Sequence, residues 1–253
     1  MDIRMIVTDL DGTFLRTDKS VSAYSQQIIQ QCREKGIVFV IATARPVRAV
    51  KSFLPFLSCD AAIYHNGAVV RLGEKMLDGY GIPNPEKYIF PLLEAFPDLH
   101  VSAEIQDCLY ANFNPGNIWK DIPYTFTDFT DLPEAPADKI LLEATSLEEM
   151  EKFKPFLTPD LYIQLSENAV AMVMNKQACK MNGVKTLAAH YHISTEEIAA
   201  FGDDYNDIRL LRECGRGIAV ENAISEVKEA ADEICADNDR DGVAGWLERN
   251  ILL

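Results

Sequence analysis

The sequence predicts an α/β fold in which helices cover both faces of a parallel sheet. Near both ends of the chain, short apolar runs alternate with helical patterns, which is typical of parallel strands joined by right-handed crossovers. Between about residue 80 and residue 178 the pattern changes to hairpins and helices. This change indicates an α+β domain inserted into the sheet domain.

The first predicted strand, residues 6–8, leads directly into two acids. Alternate side chains of an extended segment leave the same face, so we expect Asp9 and Asp11 to point together. Gly12 would let the backbone turn without a Cβ penalty. The structural alternative is a helix cap and a turn acid, because Asp-Gly pairs are common in turns.

The following elements repeat strand and helix. Ser22 is the predicted N-cap of a helix, and the apolar run 37–42 predicts a strand buried on both faces. Pro46 suits the first turn of a helix that runs towards Leu57. Residues 61–64 predict the third strand of the sheet.

Two hairpins characterise the inserted region. Residues 101–113 and 161–174 each contain two apolar runs around a polar pair, and residues 139–144 predict a further strand. The predicted domains are a core of residues 1–81 and 179–253 and an inserted domain of residues 82–178.

The strand and helix pattern resumes after Lys180. A helix follows this lysine, and the strand at 198–201 ends in Gly202-Asp203-Asp204-Tyr205-Asn206-Asp207. Residues 217–220 predict another strand, and residues 242–250 predict a final amphipathic helix.

Composition excludes several classes of function. The net charge of −15 and the pI near 4.7 would repel a phosphate backbone, so nucleic acid is not an expected partner. The six cysteines are far apart in sequence, which predicts reduced thiols in a cytoplasmic protein. We expect neither a signal peptide nor a membrane span, and nothing in the sequence specifies an oligomeric state.

Polar residues that carry chemistry stand at the ends of three predicted core strands. Ligands of open α/β sheets bind beyond the carboxyl ends of the strands, so these residues should converge. Several carboxylates at one place require a hard cation, and Mg²⁺ fits best because carboxylates, water and phosphate oxygens satisfy it. The residues of this predicted site are Asp9, Asp11, Thr43, Lys180, Asp203, Asp204, Asn206 and Asp207.

Such a site suits phosphoryl transfer. One carboxylate beside Mg²⁺ can attack phosphorus, and a second, two residues on, can protonate the leaving oxygen and later deprotonate water. Thr43 offers a hydroxyl and Lys180 a positive charge to the phosphoryl oxygens. The structural alternatives are a helix cap for Thr43 and a solvated surface position for Lys180.

These motifs resemble those of the haloacid dehalogenase superfamily of phosphohydrolases, and within it the Cof-type subclass with its IIB-like cap. Asp9-Leu10-Asp11-Gly12-Thr13 resembles the first motif, Thr43 the second, Lys180 the third and Gly202-Asp203-Asp204-Tyr205-Asn206-Asp207 the fourth. The resemblance covers the whole chain and implies a Rossmann-like, doubly wound parallel sheet core with an inserted α+β cap domain. Two more segments that recur in the subclass are Asn66-Gly67-Ala68 and Asp241-Gly242-Val243.

The resemblance also implies roles for individual residues. Asp9 would be the nucleophile and Asp11 the general acid and base. The implied metal ligands are Asp9, Asp11, Asp203 and Asp207. The ligand near Asp11 would be either its side chain or the backbone carbonyl of Leu10 or Asp11. The implied phosphate-binding residues are Leu10, Thr43, Ala44, Lys180 and Asn206. The family usually has glycine at the positions of Ala44 and Met181, which concerns the fit of the substrate more than the chemistry.

The implied function is Mg²⁺-dependent hydrolysis of small phosphomonoesters, such as sugar phosphates, through an aspartyl-phosphate. The partner would be a small phosphorylated metabolite, selected by the cap. Candidate cap contacts are Asn112, Asn114, Trp119 and Lys120.

Four alternatives stay open at this stage. A signalling receiver domain uses similar residues, but it would have about half this length and no inserted domain. A nucleotide-sugar transferase chelates a metal–diphosphate with Asp-x-Asp, but those acids normally follow a nucleotide-binding half, whereas here they stand at residue 9. The other two alternatives are a phosphomutase of the same superfamily and a non-enzymatic phosphate-binding or regulatory protein on this fold.

Overall fold

A computed structural model describes residues 2–51, 53, 57–166 and 169–253 of the chain. The chain divides into two compact units. The first unit is formed by Met1–Gly79 and Cys179–Leu253, and the second by Tyr80–Ala178. No helix in the described ranges has both the length and the apolar character that crossing a membrane requires.

The described residues form strands and helices that we number in chain order. The strands are β1 (Met5–Thr8), β2 (Val38–Ala42), β3 (Ala61–Tyr64), β4 (Val69–Leu72), β5 (Lys75–Asp78), β6 (Val101–Ile105), β7 (Cys108–Ala111), β8 (Thr125–Phe126), β9 (Lys139–Glu143), β10 (Leu161–Ser166), β11 (Val170–Asn175), β12 (Ile198–Gly202), β13 (Arg216–Val220) and β14 (Glu233–Cys235). The helices are α1 (Ala23–Glu34), α2 (Val47–Val50), α3 (Glu86–Ala95), α4 (Leu147–Glu151), α5 (Lys180–Tyr191), α6 (Ile208–Glu213), α7 (Ser225–Ala230) and α8 (Gly242–Leu247).

The first unit contains an eight-stranded sheet in the order β14-β13-β12-β1-β2-β3-β4-β5. All pairs from β14 to β3 are parallel, which confirms the predicted α/β fold. β1 lies in the middle of the sheet, and its Met5, Ile6 and Val7 side chains have no exposed surface. This full burial explains why an apolar run without alternation marks this strand.

The sheet continues beyond β3 with β4 and β5, which pair antiparallel and were not predicted. They form a hairpin around Gly73, whose φ of 55° lies in the left-handed region. β5 is the edge strand and three of its four residues are exposed. A short, solvated edge strand carries no continuous apolar run, so its sequence gives a weak signal.

The predicted cap of the first helix is confirmed. Ser22 precedes α1 and its side chain accepts a hydrogen bond from the amide of Ser25. The predicted helix from Pro46 towards Leu57 begins with α2, and residues 52 and 54–56 lie outside the described residues.

The second unit contains a six-stranded sheet in the order β10-β11-β9-β6-β7-β8. The two predicted hairpins are β6–β7 and β10–β11, both antiparallel. Gln106 and Asp107 form the first turn with positive φ, whereas the polar pair of the second turn, Glu167 and Asn168, lies outside the described residues. β8 was not predicted, and it pairs parallel with β7, so the sheet is not wholly antiparallel.

The register of the central strands brings three chain segments to one edge of the sheet. Thr8 at the end of β1 is aligned with Ile41 of β2 and Phe201 of β12. The residues that follow these strands therefore emerge side by side. The amide of Asp9 donates to the carbonyl of Phe201 at 3.1 Å, which fixes the first acid beside the end of β12.

Candidate active site

Asp9 lies immediately after β1 and is 6% exposed. Its Oδ1 accepts a hydrogen bond from Nζ of Lys180 at 2.6 Å. Burial raises the pKa of Asp9 to about 7, although the charge of Lys180 opposes the rise. The first predicted acid is thus a buried carboxylate in contact with one cation.

Lys180 is the first residue of α5 and is 1% exposed. Its Nζ also donates to Oδ1 of Asp207 at 2.7 Å, so one ammonium joins two buried carboxylates. Burial alone would lower the pKa of Lys180, but the charges of Asp207 and Asp9 outweigh burial and raise it. The alternative of a solvated surface lysine is therefore wrong.

Three carboxylates from two chain segments converge. In the part of the chain that the structure describes, Asp9, Asp203 and Asp207 each place one oxygen within 4.8 Å of the others. Burial raises the pKa of Asp203 to about 6, although a hydrogen bond from Thr13 lowers this pKa in part. Oδ2 of Asp207 accepts from the amide of Asp203 at 3.1 Å, which holds the fourth-motif turn closed. With all three carboxyls ionised, one ammonium would leave an excess of two negative charges.

Asp11 is not a member of this carboxylate set. β1 ends at Thr8, so strand alternation does not extend to Asp11, and its carboxylate is directed to two cations. Nη2 of Arg45 lies 2.6 Å and Nζ of Lys19 2.8 Å from its Oδ1. Burial by itself raises the pKa of Asp11, but hydrogen bonds from Arg45 and Lys19 prevail and lower it.

The turn that follows Asp9 wraps around one backbone carbonyl. The carbonyl of Leu10 accepts from the amides of Thr13, Phe14 and Leu15 at 3.4, 3.1 and 2.8 Å. Gly12 has a φ of 75°, and a Cβ at this position would overlap with the carboxylate of Asp203. The turn therefore needs glycine for both its backbone conformation and its close approach to the site.

Thr43 follows β2 at the same sheet edge and is 1% exposed. Its backbone amide donates to the carbonyl of Ile63 at 2.8 Å, and its hydroxyl accepts from the backbone amide of Arg45 at 3.1 Å. The next residue, Ala44, is exposed. Thr43 is not the N-cap of α2, which is Pro46, so the cap alternative is wrong.

The structure does not bring Asn206 into hydrogen-bonding contact with the carboxylate set. Its side chain is exposed and its Nδ2 donates to Oδ1 of Asn66 at 3.1 Å. Asn66 has a φ of 54° and its amide donates to the carbonyl of Thr43 at 3.0 Å. Asn66 therefore links the second and fourth motifs.

Two of the four candidate cap contacts are engaged within the second unit. Asn112 accepts from the amide of Val101 at 2.8 Å and donates to the carbonyl of Leu99 at 3.0 Å. Asn114 accepts from the amide of Gly116. Of the remaining two, Trp119 is partly buried and Lys120 is exposed.

Sequence reasoning gave no role to three residues that contact the site. Arg45 and Lys19 bind Asp11, and Thr13 donates through its hydroxyl to Oδ1 of Asp203 at 2.6 Å. Thr13 ends the quoted first motif and Arg45 lies two residues after Thr43 of the second, so their positions near these motifs could have indicated a role. Lys19 carried none, because a lysine in a polar turn is most often solvated.

Comparison with known proteins gives the family. A protein-family model described as haloacid dehalogenase-like hydrolase matches residues 6–247. The 5-amino-6-(5-phospho-D-ribitylamino)uracil phosphatase YitU of Bacillus subtilis (strain 168) is 27% identical over 268 residues, covering 98% of either protein.

Solved structures share the fold over almost the full length. TM0651 from Thermotoga maritima has a TM-score of 0.85 at 26% identity, covering 98% of this chain and 97% of its own. The subclass IIB sugar phosphatase BT4131 has a TM-score of 0.82 at 24% identity, covering 99% and 100%, and this likeness concerns the fold. The chain belongs to the haloacid dehalogenase-like hydrolases, as its Cof-type resemblance predicted, and its relatives confirm the predicted enzyme class, a phosphoric monoester hydrolase.

Proposed function

We propose that the protein is a Mg²⁺-dependent phosphatase that hydrolyses small phosphomonoesters through an aspartyl-phosphate on Asp9. The observation that carries the proposal is the convergence of the Asp9, Asp203 and Asp207 carboxylates, of which Asp9 and Asp207 contact the ammonium of Lys180. A buried excess of negative charge is unfavourable unless a cation or a proton compensates it.

The donor set fits a divalent cation, which phosphatases of this family require. Three carboxylate oxygens suit a hard cation, and Mg²⁺ usually completes its shell with water and substrate phosphate. Asp9, Asp203 and Asp207 would hold it, together with the backbone carbonyl of Asp11, because the carbonyl of Leu10 is occupied by three amides. When bound, Mg²⁺ would reduce the repulsion between the nucleophile and the phosphate.

The chain supplies the groups for two displacements. The Asp9 carboxylate attacks phosphorus, the bond to the ester oxygen breaks, and Asp11 gives that oxygen a proton. Water then attacks the phosphorus of the aspartyl-phosphate, Asp11 takes a proton from it, and phosphate leaves with Asp9 restored. Arg45 and Lys19 keep Asp11 charged, so the acid role requires that substrate displaces one of these contacts.

We assign phosphate binding to Lys180 and to groups after β1 and β2. Lys180 already lies 2.6 Å from the nucleophile, so its charge is placed to attract the incoming phosphate. The amide of Thr43 is used by the sheet, so the hydroxyl of Thr43 and the amides of Ala44 and Leu10 are the proposed donors. Asn206 would complete the site only by leaving Asn66.

We assign substrate selection to the second unit, acting as a cap. The core groups described above recognise a phosphoryl group and nothing of the leaving group, so selectivity must come from elsewhere. Relatives named as a phosphatase of a phosphoribitylamino-uracil and as a sugar phosphatase favour a small polar phosphate ester. Of the candidate cap contacts, Trp119 and Lys120 are the ones we retain.

We also propose a reducing compartment, the cytoplasm. All six cysteines are free thiols, and Cys32, Cys214 and Cys235 are buried. Burial raises the pKa of the Cys214 and Cys235 thiols to about 12, so they stay protonated and unreactive.

The test is phosphate release from 4-nitrophenyl phosphate by the purified protein, with MgCl₂ or with EDTA. We expect turnover only with the metal, and a phosphorylated protein after acid quench that is absent from Asp9→Asn. The matched control is Asp18→Asn, which changes an exposed aspartate of the same chain segment. Undiminished turnover by Asp9→Asn would reject the nucleophile, and transfer of phosphate to a second sugar without release would indicate a phosphomutase.

A further inference from the structure

The turn formed by Leu10 to Leu15, here called the Asp11 turn, contacts the carboxylate set on one side. Thr13 donates to Asp203 at 2.6 Å, and Gly12 packs so closely on Asp203 that no side chain fits there. The position of this turn therefore fixes Asp11 and constrains Asp203 at the same time.

Two asparagines from distant parts of the chain hold the turn from its backbone side. Nδ2 of Asn222 donates to the carbonyl of Gly12 at 2.7 Å, and Nδ2 of Asn238 donates to the carbonyl of Leu15 at 2.9 Å. The backbone amide of Asn238 donates to Oδ1 of Asn222 at 3.0 Å, which links the two residues directly.

We propose that Asn222 and Asn238 are positioning residues for phosphoryl transfer, which hold the Asp11 turn so that Asp11 can protonate the leaving oxygen. The inference rests on the proposed function, because it needs Asp11 as the general acid. Neither asparagine is assigned a contact with substrate.

The chemistry of the amide explains why asparagine suits both places. Asn222 must donate to a carbonyl with one end of its side chain and accept from an amide with the other, which an aspartate or a leucine cannot do. Asn238 is 6% exposed, so the carbonyl of Leu15 would lose its partner in a buried place if this side chain were removed.

The two asparagines reach the Asp11 turn from two different loops of the first unit. Asn222 follows β13 by two residues, and Asn238 begins a single 3₁₀ turn after β14. Both strands belong to the same parallel sheet as β1. A displacement of a catalytic group by about 1 Å costs on the order of 100-fold in rate, so support of this kind is functionally significant.

The experiment measures kcat/KM for substituted phenyl phosphates, from 4-nitrophenyl phosphate to unsubstituted phenyl phosphate, with saturating MgCl₂. kcat/KM reports the first displacement, in which a more basic leaving group depends more on the general acid. For Asn222→Ala we expect a loss about tenfold larger with phenyl phosphate than with 4-nitrophenyl phosphate. A general loss of folded protein would lower both values equally.

Asp11→Asn serves as the reference and Asn250→Ala as the matched control. Asn250 also donates from its side chain to a backbone carbonyl, that of Trp246 at 2.8 Å, away from the Asp11 turn. We expect Asn250→Ala to match wild type and Asp11→Asn to show the strongest dependence on the leaving group. Asn238→Ala is measured in the same way, together with the midpoint of its unfolding transition. The midpoint is needed because this position is buried, so the substitution can lower the stability of the protein as well as its activity.

The outcomes separate the inference from the function on which it rests. One outcome is that Asp11→Asn loses more kcat/KM with phenyl phosphate than with 4-nitrophenyl phosphate while Asn222→Ala loses the same with both substrates, or nothing with either. That result overturns the positioning role and leaves the phosphatase mechanism standing. If Asp11→Asn depends on the leaving group no more than wild type does, Asp11 is not the acid and the positioning role is overturned with it, whereas the phosphatase itself is tested by Asp9→Asn and EDTA.

Discussion

The ammonium of Lys180 lies 2.6 Å from Oδ1 of Asp9, and both side chains are almost completely withdrawn from solvent. Lys180 begins α5, and Asp9 follows the central strand β1, 171 positions earlier in the chain. The same ammonium contacts Asp207 at 2.7 Å. A single lysine therefore compensates two buried carboxylates, and its loss should affect folding as well as catalysis.

Replacing this lysine should destabilise the protein strongly. Lys180→Met would leave Asp9 and Asp207 buried without a cation, and removing one partner of a buried pair costs about 3–5 kcal/mol. We expect a loss of this order in the free energy of unfolding in urea without metal. In MgCl₂, KM for 4-nitrophenyl phosphate should rise, because a charge that attracts phosphate is gone.

The control for this effect lies in the same helix. Lys185 pairs with Glu213 at 2.6 Å, but both side chains are substantially exposed. Lys185→Met should change the free energy of unfolding much less, because exposed ion pairs contribute little. Equal losses in the two variants would contradict the assignment of Lys180 to a buried charge cluster.

Two neighbouring aspartates should differ in their effect on the metal requirement. Asp203 belongs to the carboxylate set, whereas Asp204 is exposed and caps the following turn through the amide of Tyr205. Asp203→Asn should raise the MgCl₂ concentration for half-maximal activity at least about tenfold. Asp204→Asn should leave it nearly unchanged, because asparagine caps as well as aspartate. The same shift in both variants would show that general negative charge, not ligation, binds the metal.

Acidic pH should weaken metal binding. Asp9 and Asp203 have pKa values raised to about 7 and about 6, so protons occupy these carboxyls in mildly acidic solution and compete with the cation. The increase in Tm that a fixed MgCl₂ concentration produces should be larger at ~pH 8 than at ~pH 5.5. An increase that does not depend on pH would contradict the assignment of these carboxyls as ligands.

The metal-free protein should depend on pH in the opposite direction, becoming less stable as pH rises. Between the ordinary pKa of 3.8 and about 7, the folded state binds more protons at Asp9 than the unfolded state does. The free energy of unfolding in EDTA should therefore fall as pH rises through this range. Asp9→Asn has no such proton to lose, so its free energy of unfolding should fall less than that of wild type.

The sheet edge that carries the site was predictable from sequence. Apolar runs that end abruptly mark buried parallel strands, and the order of strands then places Asp9, Thr43 and Asp203 together. Lys180 was also predicted at this edge, but its burial was not. Its burial depends on the packing of α5 against the sheet, which no local pattern specifies.

The surroundings of Asp11 were not predictable in the same way. The turn after β1 is set by three amides that meet one carbonyl, and its course directs Asp11 to Arg45, 34 positions away. The hairpin of β4 and β5 was missed for a different reason. Its strands lie at a solvated edge, where the apolar periodicity that identifies strands is weak.

A glycine pair in the first unit can separate backbone strain from crowding at the site. Gly12 and Gly36 have similar φ values of 75° and 83°, but a Cβ at Gly36 has no atom within 4 Å, whereas one at Gly12 meets Asp203. Both alanine variants should lose about 1–2 kcal/mol of unfolding free energy from the left-handed backbone. Only Gly12→Ala should also lose phosphatase activity and require more MgCl₂, because it must displace the carboxylate of Asp203. If Gly36→Ala lost as much activity at equal stability, the close approach of the Asp11 turn to Asp203 would have no catalytic significance.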